Sequence, residues 1–427
     1  MSKRCQIIGV LDNGCSGLSA AALARLQEAE VVIAASRVLN LFAETIAQAE
    51  GKDLTGNLSL VPEWINTALA AQKKVVVLAT GDPLCHGIAS FLTKKLGVDK
   101  LEIMPNVSSI QLAFARIGMA WQDAKICSIH SKDAGEWQVD SGADHGLYVL
   151  LQAINQHDKL AILTSPENNP ARIARMLVME NMADDFNMII AENILCDNEK
   201  LFQGSSIAEL AEQEFTGNDV VILCRTQEKT AELLFGYADH AFKQRKPDKG
   251  LITKREVRAV SLARLQLTAN SIVWDIGAGS GSVGIEAAKL CAQGHVYAVE
   301  KNAADFAIAT ENARNFGLHN YTLIEKKAPL GMQDWPAPNA VFIGGSGGEL
   351  AELIALCLAK LQANGCLVMN FVTLENLNTA LEALKQNGAN WDITQLQASR
   401  SQPILHMNRM QAENPVWIVC AQKEIAA

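Results

Sequence analysis

The chain has 427 residues, more than one hydrophobic core usually serves, so two or more domains are expected. Its composition is 49% hydrophobic and 19% charged, and apolar runs such as residues 74–80 are far too short to span a bilayer. A net charge of −9 argues against a nucleic-acid partner, because neutralising phosphates requires a basic surface.

The start of the chain and the cysteines bear on location and on metals. The first twenty residues carry a charged pair and then a glycine-containing loop instead of a signal peptide, which predicts a cytoplasmic protein. The ten cysteines form no Cys-x-x-Cys motif and have no His-x-x-x-His partner. No metal site is therefore predicted, and most cysteines are interpreted as small buried thiols.

The first half alternates short apolar strands with helical patterns, which is typical of α/β layering around a mainly parallel sheet. Strands are predicted at 5–10, 31–34, 74–79, 101–104, 125–129, 159–163, 187–192 and 219–224. Helices are predicted at 19–28 with Ser19 as the N-cap, at 87–96, after Ser108, and near 169–180 and 206–214.

The apolar periodicity fades after residue 225, and we place a linker at 227–250 between domains at 1–226 and 251–427. Residues 239–258 carry a local excess of basic side chains over three acids. The basic residues are Lys243, Arg245, Lys246, Lys249, Lys254, Arg255 and Arg258. This excess is either a solvated linker and helix face or a patch for a polyanionic ligand, and the pattern favours neither.

The second half reads as a helix at 253–265 followed by strict β-α alternation. Strands are predicted at 271–276, 296–300, 321–325, 340–343 and 366–371, and helices at 282–291, 303–316, 348–361 and 374–387. A closing pair of strands at 393–398 and 416–421 is separated by an irregular stretch. The two halves are predicted to be different α/β domains.

A glycine-rich turn follows the first strand of the second half, in the run VWDIGAGSGSVGIEAA at 273–288. Gly277, Gly279 and Gly281 allow a sharp turn and a close approach of the backbone to a ligand, and the next helix offers free N–H groups. Glu300 ends the next strand, where an acid can hydrogen-bond both ribose hydroxyls. This pattern predicts a nucleoside ligand.

The identity of that ligand has two interpretations, because residues 279–284 also satisfy the dinucleotide pattern G-x-G-x-x-G. Asp275 before the first glycine, the leading helix and the closing strand pair favour S-adenosylmethionine, whose ammonium group suits an acidic neighbourhood. Methyl transfer is therefore favoured over an NAD(P)-dependent oxidoreductase with a fused substrate-binding domain. A third interpretation makes one or both domains non-catalytic binding modules.

Motifs in both halves resemble known methylases. In the second half these are 251–258 (LITKREVR), the glycine turn, Glu300, Ala328-Pro329 and 342–350 (FIGGSGGEL), which resemble the carbon-15 methyltransferase and decarboxylase domain of cobalamin biosynthesis. In the first half they are 7–10 (IIGV), 77–84 (VLATGDPL), 104–109 (MPNVSS), 121–123 (WQD) and 163–165 (LTS), which resemble carbon-5 tetrapyrrole methylases. The whole chain thus resembles the fused precorrin-6Y C(5,15)-methyltransferases (decarboxylating).

This resemblance implies a fold and a reaction. The fold is α/β, with an N-terminal two-lobed tetrapyrrole methylase domain followed by a Rossmann-like class I S-adenosylmethionine-dependent methyltransferase domain. The implied reaction methylates precorrin-6B, or its cobalt form, at carbons 5 and 15 and decarboxylates the ring C acetate, giving precorrin-8X. The implied partners are S-adenosyl-L-methionine and a small-molecule tetrapyrrole, with no nucleic acid and no membrane. We expect a homo-oligomer, because a tetrapyrrole is large enough to contact two subunits.

The resemblance also implies site residues. In the C-terminal domain the cofactor contacts are Thr253, Gly277, Ala278, Gly279, Ser280, Gly281, Glu300 and Ala328. In the N-terminal domain the cofactor lies in a trough between two lobes, near Gly81, Asp82, Pro83, Ser108, Ser109 and Thr164. Related proteins commonly have an acid just before the Ala-Pro pair, whereas this chain has Lys327, so adenine recognition there differs or rests on the backbone.

A substrate rich in carboxylates needs basic partners. We expect Lys254, Arg255 and Arg258, on the helix beside the glycine turn, to clamp it, and Gly344 and Gly345 to contact it. His86 and His130 could move protons, but a lone histidine is more often structural, so no catalytic residue is assigned.

Overall fold

In a computed structural model, the described residues are 4–130, 132–139, 141–215, 217, 219–227, 233–245, 252–345 and 348–423. The chain divides into two compact units, Met1–Lys229 and Thr230–Ala427, and each is described by itself below. Among the residues so described, no helix is long and apolar enough to cross a bilayer.

The first lobe of the N-terminal unit is a fully parallel sheet. Its strands are β1 (Cys5–Val10), β2 (Val31–Ala34), β3 (Glu50–Asp53), β4 (Val75–Thr80) and β5 (Leu101–Met104), in the order β3-β2-β4-β1-β5. Its helices are α1 (Ala20–Gln27), α2 (Ser36–Leu41), α3 (Val61–Ala70), α4 (Ile88–Leu96) and α5 (Ser109–Ile117). Alternate residues of the central strands pack into two hydrophobic clusters, so both faces of this sheet are covered.

The second lobe holds a mixed sheet. Its strands are β6 (Lys125–Ser128), β7 (Lys159–Leu163), β8 (Phe186–Glu192), β9 (Lys200–Phe202) and β10 (Val220–Arg225), in the order β6-β7-β10-β8-β9. Only the β6–β7 pair is parallel, and the other three pairs are antiparallel. The prediction of a mainly parallel sheet is therefore wrong for this lobe, because an apolar strand pattern does not encode the direction of its partner.

Some helices of this unit begin after a residue whose side chain caps the first turn. Helices α6 (Tyr148–Gln156), α7 (Pro170–Met179) and α8 (Ile207–Ala211) cover the second lobe. The predicted N-cap at Ser19 is confirmed, since its hydroxyl accepts from the Ala22 N–H. Ser108 forms a capping box with Gln111 at the start of α5.

The C-terminal unit is a seven-stranded sheet with one reversed strand. Its strands are β11 (Ile272–Ile276), β12 (His295–Glu300), β13 (Tyr321–Glu325), β14 (Ala340–Ile343), β15 (Cys366–Phe371), β16 (Asn390–Leu396) and β19 (Val416–Gln422), in the order β13-β12-β11-β14-β15-β19-β16. Strand β19 lies antiparallel to both of its neighbours. The helices are α9 (Arg255–Arg264), α10 (Ser282–Leu290), α11 (Ala303–Asn315), α12 (Leu350–Lys360) and α13 (Leu374–Gln386).

A hairpin of β17 (Ser399–Ile404) and β18 (Met407–Ala412) fills the stretch that was predicted to be irregular. Its residues are mostly polar and exposed, so they lack the apolar alternation that signals a strand. Arg400 ties the hairpin to the unit through ion pairs with Asp239 and Glu256.

Residues 233–245 are part of the C-terminal unit, which corrects the predicted linker at 227–250. Phe242 is buried, and its ring stacks on Phe316 with the centroids 4.9 Å apart. The Gly236 and Tyr237 N–H groups donate to the buried Glu286 carboxylate. This segment packs through single aromatic side chains and has no helical or strand periodicity. Its sequence therefore resembles that of a linker. Residues 228–232 and 246–250 of that linker lie outside the described residues.

Candidate functional site

The carboxyl ends of three parallel strands form a cleft in the C-terminal unit. Gly277 follows β11, Glu300 ends β12 and Gly344 follows β14. The cleft is lined by Gly277, Gly279, Val299, Glu300, Lys301, Lys326, Lys327, Ala328, Gly344 and Gly345. Because the chain leaves β11 toward β12 on one side and returns to β14 on the other, this is the switch point where open α/β sheets bind ligands.

The glycine turn needs its glycines for conformation and for space. Gly277, Gly279 and Gly281 have φ values of 73°, 58° and 78°, which side chains with a Cβ rarely adopt. A Cβ at Gly277 would lie 2.5 Å from the carbonyl oxygen of Gly345. The two glycine loops therefore touch through backbone alone. Residues 346 and 347 of the second loop lie outside the described part of the chain.

Two backbone N–H groups fix the orientation of the Glu300 carboxylate. Its carboxylate accepts from the Gly279 N–H at 2.9 Å and from the Asn302 N–H at 2.9 Å, and the residue is 7% exposed. Each carboxylate oxygen retains a further lone pair, so the group can still accept hydrogen bonds from two ligand hydroxyls. The same contacts fix the glycine turn and the acid relative to each other.

Asp275 lies beneath the turn, away from the cleft surface. It is 1% exposed, its Oδ2 accepts from the Gly284 N–H at 3.1 Å, and its Oδ1 has no hydrogen-bond partner in the described part of the chain. Burial, with a smaller contribution from the charge of Glu300, raises the pKa of Asp275 to about 7. The expected attraction of Asp275 for a ligand ammonium is therefore wrong, since its carboxylate supports the turn from inside.

The raised pKa of Asp275 predicts a pH-dependent stability difference. The folded protein retains this proton up to about pH 7, whereas the unfolded chain releases it near pH 4. Asp275 therefore stabilises the wild type fully below pH 4, and this stabilisation is lost as pH rises through 7. Between pH 4 and pH 7, the unfolding free energy of Asp275→Asn should therefore rise relative to that of wild type, by up to about 1.4 kcal/mol for each unit of pH increase. Urea unfolding of both proteins from pH 5 to 8 checks this, and a constant difference would contradict it.

Arg258 is a structural residue, which corrects its prediction as part of a substrate clamp. It is 0% exposed and its Nε donates to Glu286 at 2.8 Å. Its Nη1 donates to the Thr253 carbonyl at 2.6 Å, and its guanidinium lies over the Phe242 ring. A side chain so enclosed and so fully engaged cannot reach a ligand carboxylate.

Other predicted residues are distributed unevenly around the cleft. Thr253, Lys254 and Arg255 do not line it in the described structure. Ser280 is 4% exposed and its hydroxyl has no partner among the described residues, although it sits inside the turn. Several basic side chains of the segment 239–258 form ion pairs within the unit, since Lys243 pairs with Glu311 and Arg245 with Asp305. Lys246 and Lys249 lie outside the described residues.

The N-terminal unit holds a second cavity, of about 560 Å³, between its two lobes. Gly81, Asp82, Ser108, Ser109 and Thr164 line it, together with His86 and His130. Pro83 does not line it in the described part of the chain, although its neighbours do. The structure thus brings together five of the six residues predicted for this site, and the cavity is large enough for a nucleoside-sized ligand.

Close backbone contacts shape the part of this cavity around Gly81. Gly81 has a φ of 70° and its N–H donates to the Val10 carbonyl at 2.7 Å. A Cβ at Gly9 would lie 2.2 Å from the Gly81 carbonyl oxygen, so strand β1 and the turn after β4 approach too closely for a side chain at position 9. His130 Nδ1 is 2.9 Å from the Thr164 carbonyl oxygen, and this contact fixes the orientation of the imidazole ring. It assigns the histidine no role in proton transfer.

Two features of these sites escaped the sequence analysis. Lys301 and Lys326 line the first cleft beside Lys327, and no motif marks them as a group. Asp219 lines the second cavity with its carboxylate buried. It directly precedes strand β10, and only its acidic character at the start of an apolar run could have drawn attention to it.

Comparisons with known proteins match both halves of the chain. The family model for tetrapyrrole (corrin/porphyrin) methylases matches residues 5–211, and that for the precorrin methyltransferase domain matches residues 244–423. The precorrin-6Y C(5,15)-methyltransferase (decarboxylating) of Sinorhizobium sp. is 28% identical over 96% of this chain and 94% of its own. The cobalt-precorrin-6B C(15)-methyltransferase (decarboxylating) of Salmonella typhimurium is 39% identical over 40% of this chain and 90% of its own.

The chain belongs to the precorrin-6Y C(5,15)-methyltransferase family. Among solved structures, a precorrin-6Y C5,15-methyltransferase from Geobacter metallireducens is 38% identical, with a TM-score of 0.43, and covers 45% of this chain and 100% of its own. For a member of this family the oxidoreductase alternative has no support. The antiparallel β19 agrees, because a second mononucleotide-binding half would continue the sheet in parallel.

Proposed function

We propose that the protein methylates precorrin-6B, or its cobalt form, at carbons 5 and 15 and decarboxylates its ring C acetate, giving precorrin-8X in cobalamin biosynthesis. The N-terminal unit would act at carbon 5 and the C-terminal unit at carbon 15. The observation that carries this proposal is the presence, in one chain of this family, of two separate clefts whose walls approach through glycine backbone.

S-adenosylmethionine fits the residues of the first cleft. When bound, its sulfonium group supplies an electrophilic methyl group. Glu300 would accept hydrogen bonds from the ribose hydroxyls, because both its oxygens are already oriented by backbone N–H groups. The turn at 277–281 would contact the ligand through its backbone, and Ala328 also lines the cleft. No side chain needs to act as a nucleophile, so positioning is the main contribution of these residues.

The substrate carboxylates would meet the lysines at the rim of the same cleft. Lys301 and Lys326 are exposed and line the cleft beside Gly344 and Gly345. They take the place that the sequence analysis gave to Arg258, and a contribution of Lys254 and Arg255 stays a prediction. Loss of carbon dioxide from the ring C acetate leaves an electron pair in the conjugated tetrapyrrole, and methylation at carbon 15 consumes it.

Lys327 is expected to contribute little to cofactor binding. Its Nζ pairs with Glu349 at 2.5 Å, and both side chains are more than one third exposed. Such surface pairs contribute about 0–1 kcal/mol, so Lys327→Ala should change S-adenosylhomocysteine affinity by less than about fivefold. Calorimetric titration checks this, and a tenfold or larger change would indicate that Lys327 contacts the adenine.

Methyl counting tests the proposed reaction. The full-length protein is incubated with precorrin-6B and methyl-labelled S-adenosylmethionine, and the product mass and released carbon dioxide are measured. Two added methyl groups and one carbon dioxide per substrate are expected. No added methyl group would overturn the proposal, and addition without carbon dioxide release would overturn its decarboxylation step.

We also propose a cytoplasmic location and a homo-oligomeric assembly. The substrate class is a small soluble molecule, and its size allows contacts from two subunits. Light scattering after size-exclusion chromatography tests the assembly, and a monomer at micromolar concentration would overturn it.

A further inference from the structure

Asp219, in the N-terminal cavity, has a buried carboxylate that no described residue pairs with. The residue is 2% exposed, and neither carboxylate oxygen has a hydrogen bond within the described residues. Buried polar groups are nearly always paired, and an unpaired one costs about 1–3 kcal/mol. A group retained in this state at a cavity wall suggests a partner that arrives with a ligand.

The backbone of Asp219 is firmly held. Its carbonyl accepts from the Thr164 hydroxyl at 2.8 Å and from the Thr164 N–H at 3.2 Å. Its own N–H donates to the Thr164 hydroxyl at 3.1 Å. The side chain is therefore placed on the cavity wall by a rigid support, directly beside a residue already expected to contact the cofactor.

Gly217 lies beside the Asp219 carboxylate, where a side chain would not fit. A Cβ at Gly217 would lie 2.8 Å from Asp219 Oδ1 and 2.7 Å from Asn193 Oδ1. Any side chain at position 217 would therefore crowd the acid. The glycine therefore keeps a further side chain away from the carboxylate, which lines the cavity.

The charge of the cavity favours a cation. The described lining residues include three aspartates (Asp12, Asp82 and Asp219) and one arginine, Arg37, which is paired with Asp12. Glu192 is also buried. Burial of Asp219, with a smaller contribution from the negative charge of Glu192, raises the pKa of Asp219 to about 7. A positively charged donor would relieve both the missing hydrogen bonds and the repulsion between the acids.

We propose that the Asp219 carboxylate binds a nitrogen group of the cavity's ligand, accepting N–H hydrogen bonds from a cationic amine. This inference rests on the proposed function, in which the ligand is S-adenosylmethionine. That molecule offers two N–H donor groups, the cationic α-ammonium group and the neutral exocyclic amine of adenine. The acidic surroundings favour the α-ammonium group.

Asp219→Asn tests the proposal by calorimetric titration of the full-length protein with S-adenosylhomocysteine at pH 8. Wild type is expected to show two sites, and the variant should lose about 10- to 100-fold in affinity at one of them, the effect of one hydrogen bond to a charged group. Glu300→Ala serves as the matched reference, because it should weaken the other site. Two unchanged sites in Asp219→Asn would overturn the role of Asp219 alone, whereas wild type without any site would overturn the proposed function.

Ligand analogues separate the two nitrogens. 5′-Methylthioadenosine lacks the α-ammonium group, so wild type and Asp219→Asn should bind it equally. A loss in the variant that equals the loss for S-adenosylhomocysteine would assign the contact to adenine instead. S-Inosylhomocysteine, which lacks the exocyclic amine, should show the full loss.

Thermal unfolding of the ligand-free proteins distinguishes a loss of binding from a loss of folding. Removing an unpaired buried charge should leave the Tm of Asp219→Asn equal to or above that of wild type at pH 8. Asp219→Ser provides a second, smaller replacement with the same expected loss of binding. A lowered Tm in both variants would mean that the carboxylate is structural, and would overturn the proposal.

Discussion

Glu300→Ala is expected to weaken S-adenosylhomocysteine binding at the C-terminal site by about 100-fold or more, the effect of losing two hydrogen bonds to a charged group. The acid also organises the cleft, because its Oε2 accepts from Gly279 and its Oε1 from Asn302. Its removal therefore loses ligand contacts and releases the turn at the same time. Calorimetric titration of the full-length protein measures the effect, with the N-terminal site as an internal reference.

Glu325→Ala is the matched control for this experiment. Glu325 pairs with Glu300 in register at the end of the neighbouring strand β13, but its side chain is exposed and does not line the cleft. Its removal should leave both binding sites within about twofold of wild type, as for most exposed substitutions. An equal loss in Glu325→Ala would mean that the general negative charge of this edge, and not the Glu300 contact, attracts the ligand.

The C-terminal cleft could be predicted from sequence because its determinants are local. Gly277, Gly279 and Gly281 adopt positive φ as their spacing requires, and Glu300 is reached by counting one helix and one strand forward. The parallel order of β12, β11 and β14 then brings these ends together without any further information.

The remaining features depend on contacts that no local pattern encodes. Arg258 meets Glu286 and Asp239 across 28 and 19 residues of sequence, so its spacing on a helix face could not reveal that it is buried. Asp219 lies in no motif, and it stands out only in three dimensions, where no described residue hydrogen-bonds its buried carboxylate. The antiparallel pairs of the second lobe likewise depend on which strands meet, while each strand alone has the same apolar pattern.

Arg258→Ala is expected to destabilise the C-terminal unit by about 3–5 kcal/mol, because one partner of a buried ion pair is left uncompensated. Glu286 is 0% exposed and, among the described residues, would retain only the N–H groups of Gly236 and Tyr237 as donors. The Thr253 carbonyl would also lose its donor. Urea unfolding of the full-length protein, with hydrogen exchange of α9 and α10, measures the loss.

Two further variants separate this buried network from a substrate clamp. Arg255→Ala, on the exposed side of the same helix, should change the unfolding free energy by less than about 0.5 kcal/mol. The double variant Arg258→Met with Glu286→Gln removes both charges, so it should cost less than the sum of its single changes. An Arg258→Ala protein with wild-type stability and a raised substrate KM would contradict the buried role. Because Arg258 holds residues 237 and 253 against α10, we expect instead that cofactor and substrate binding in this unit are lost together as it unfolds.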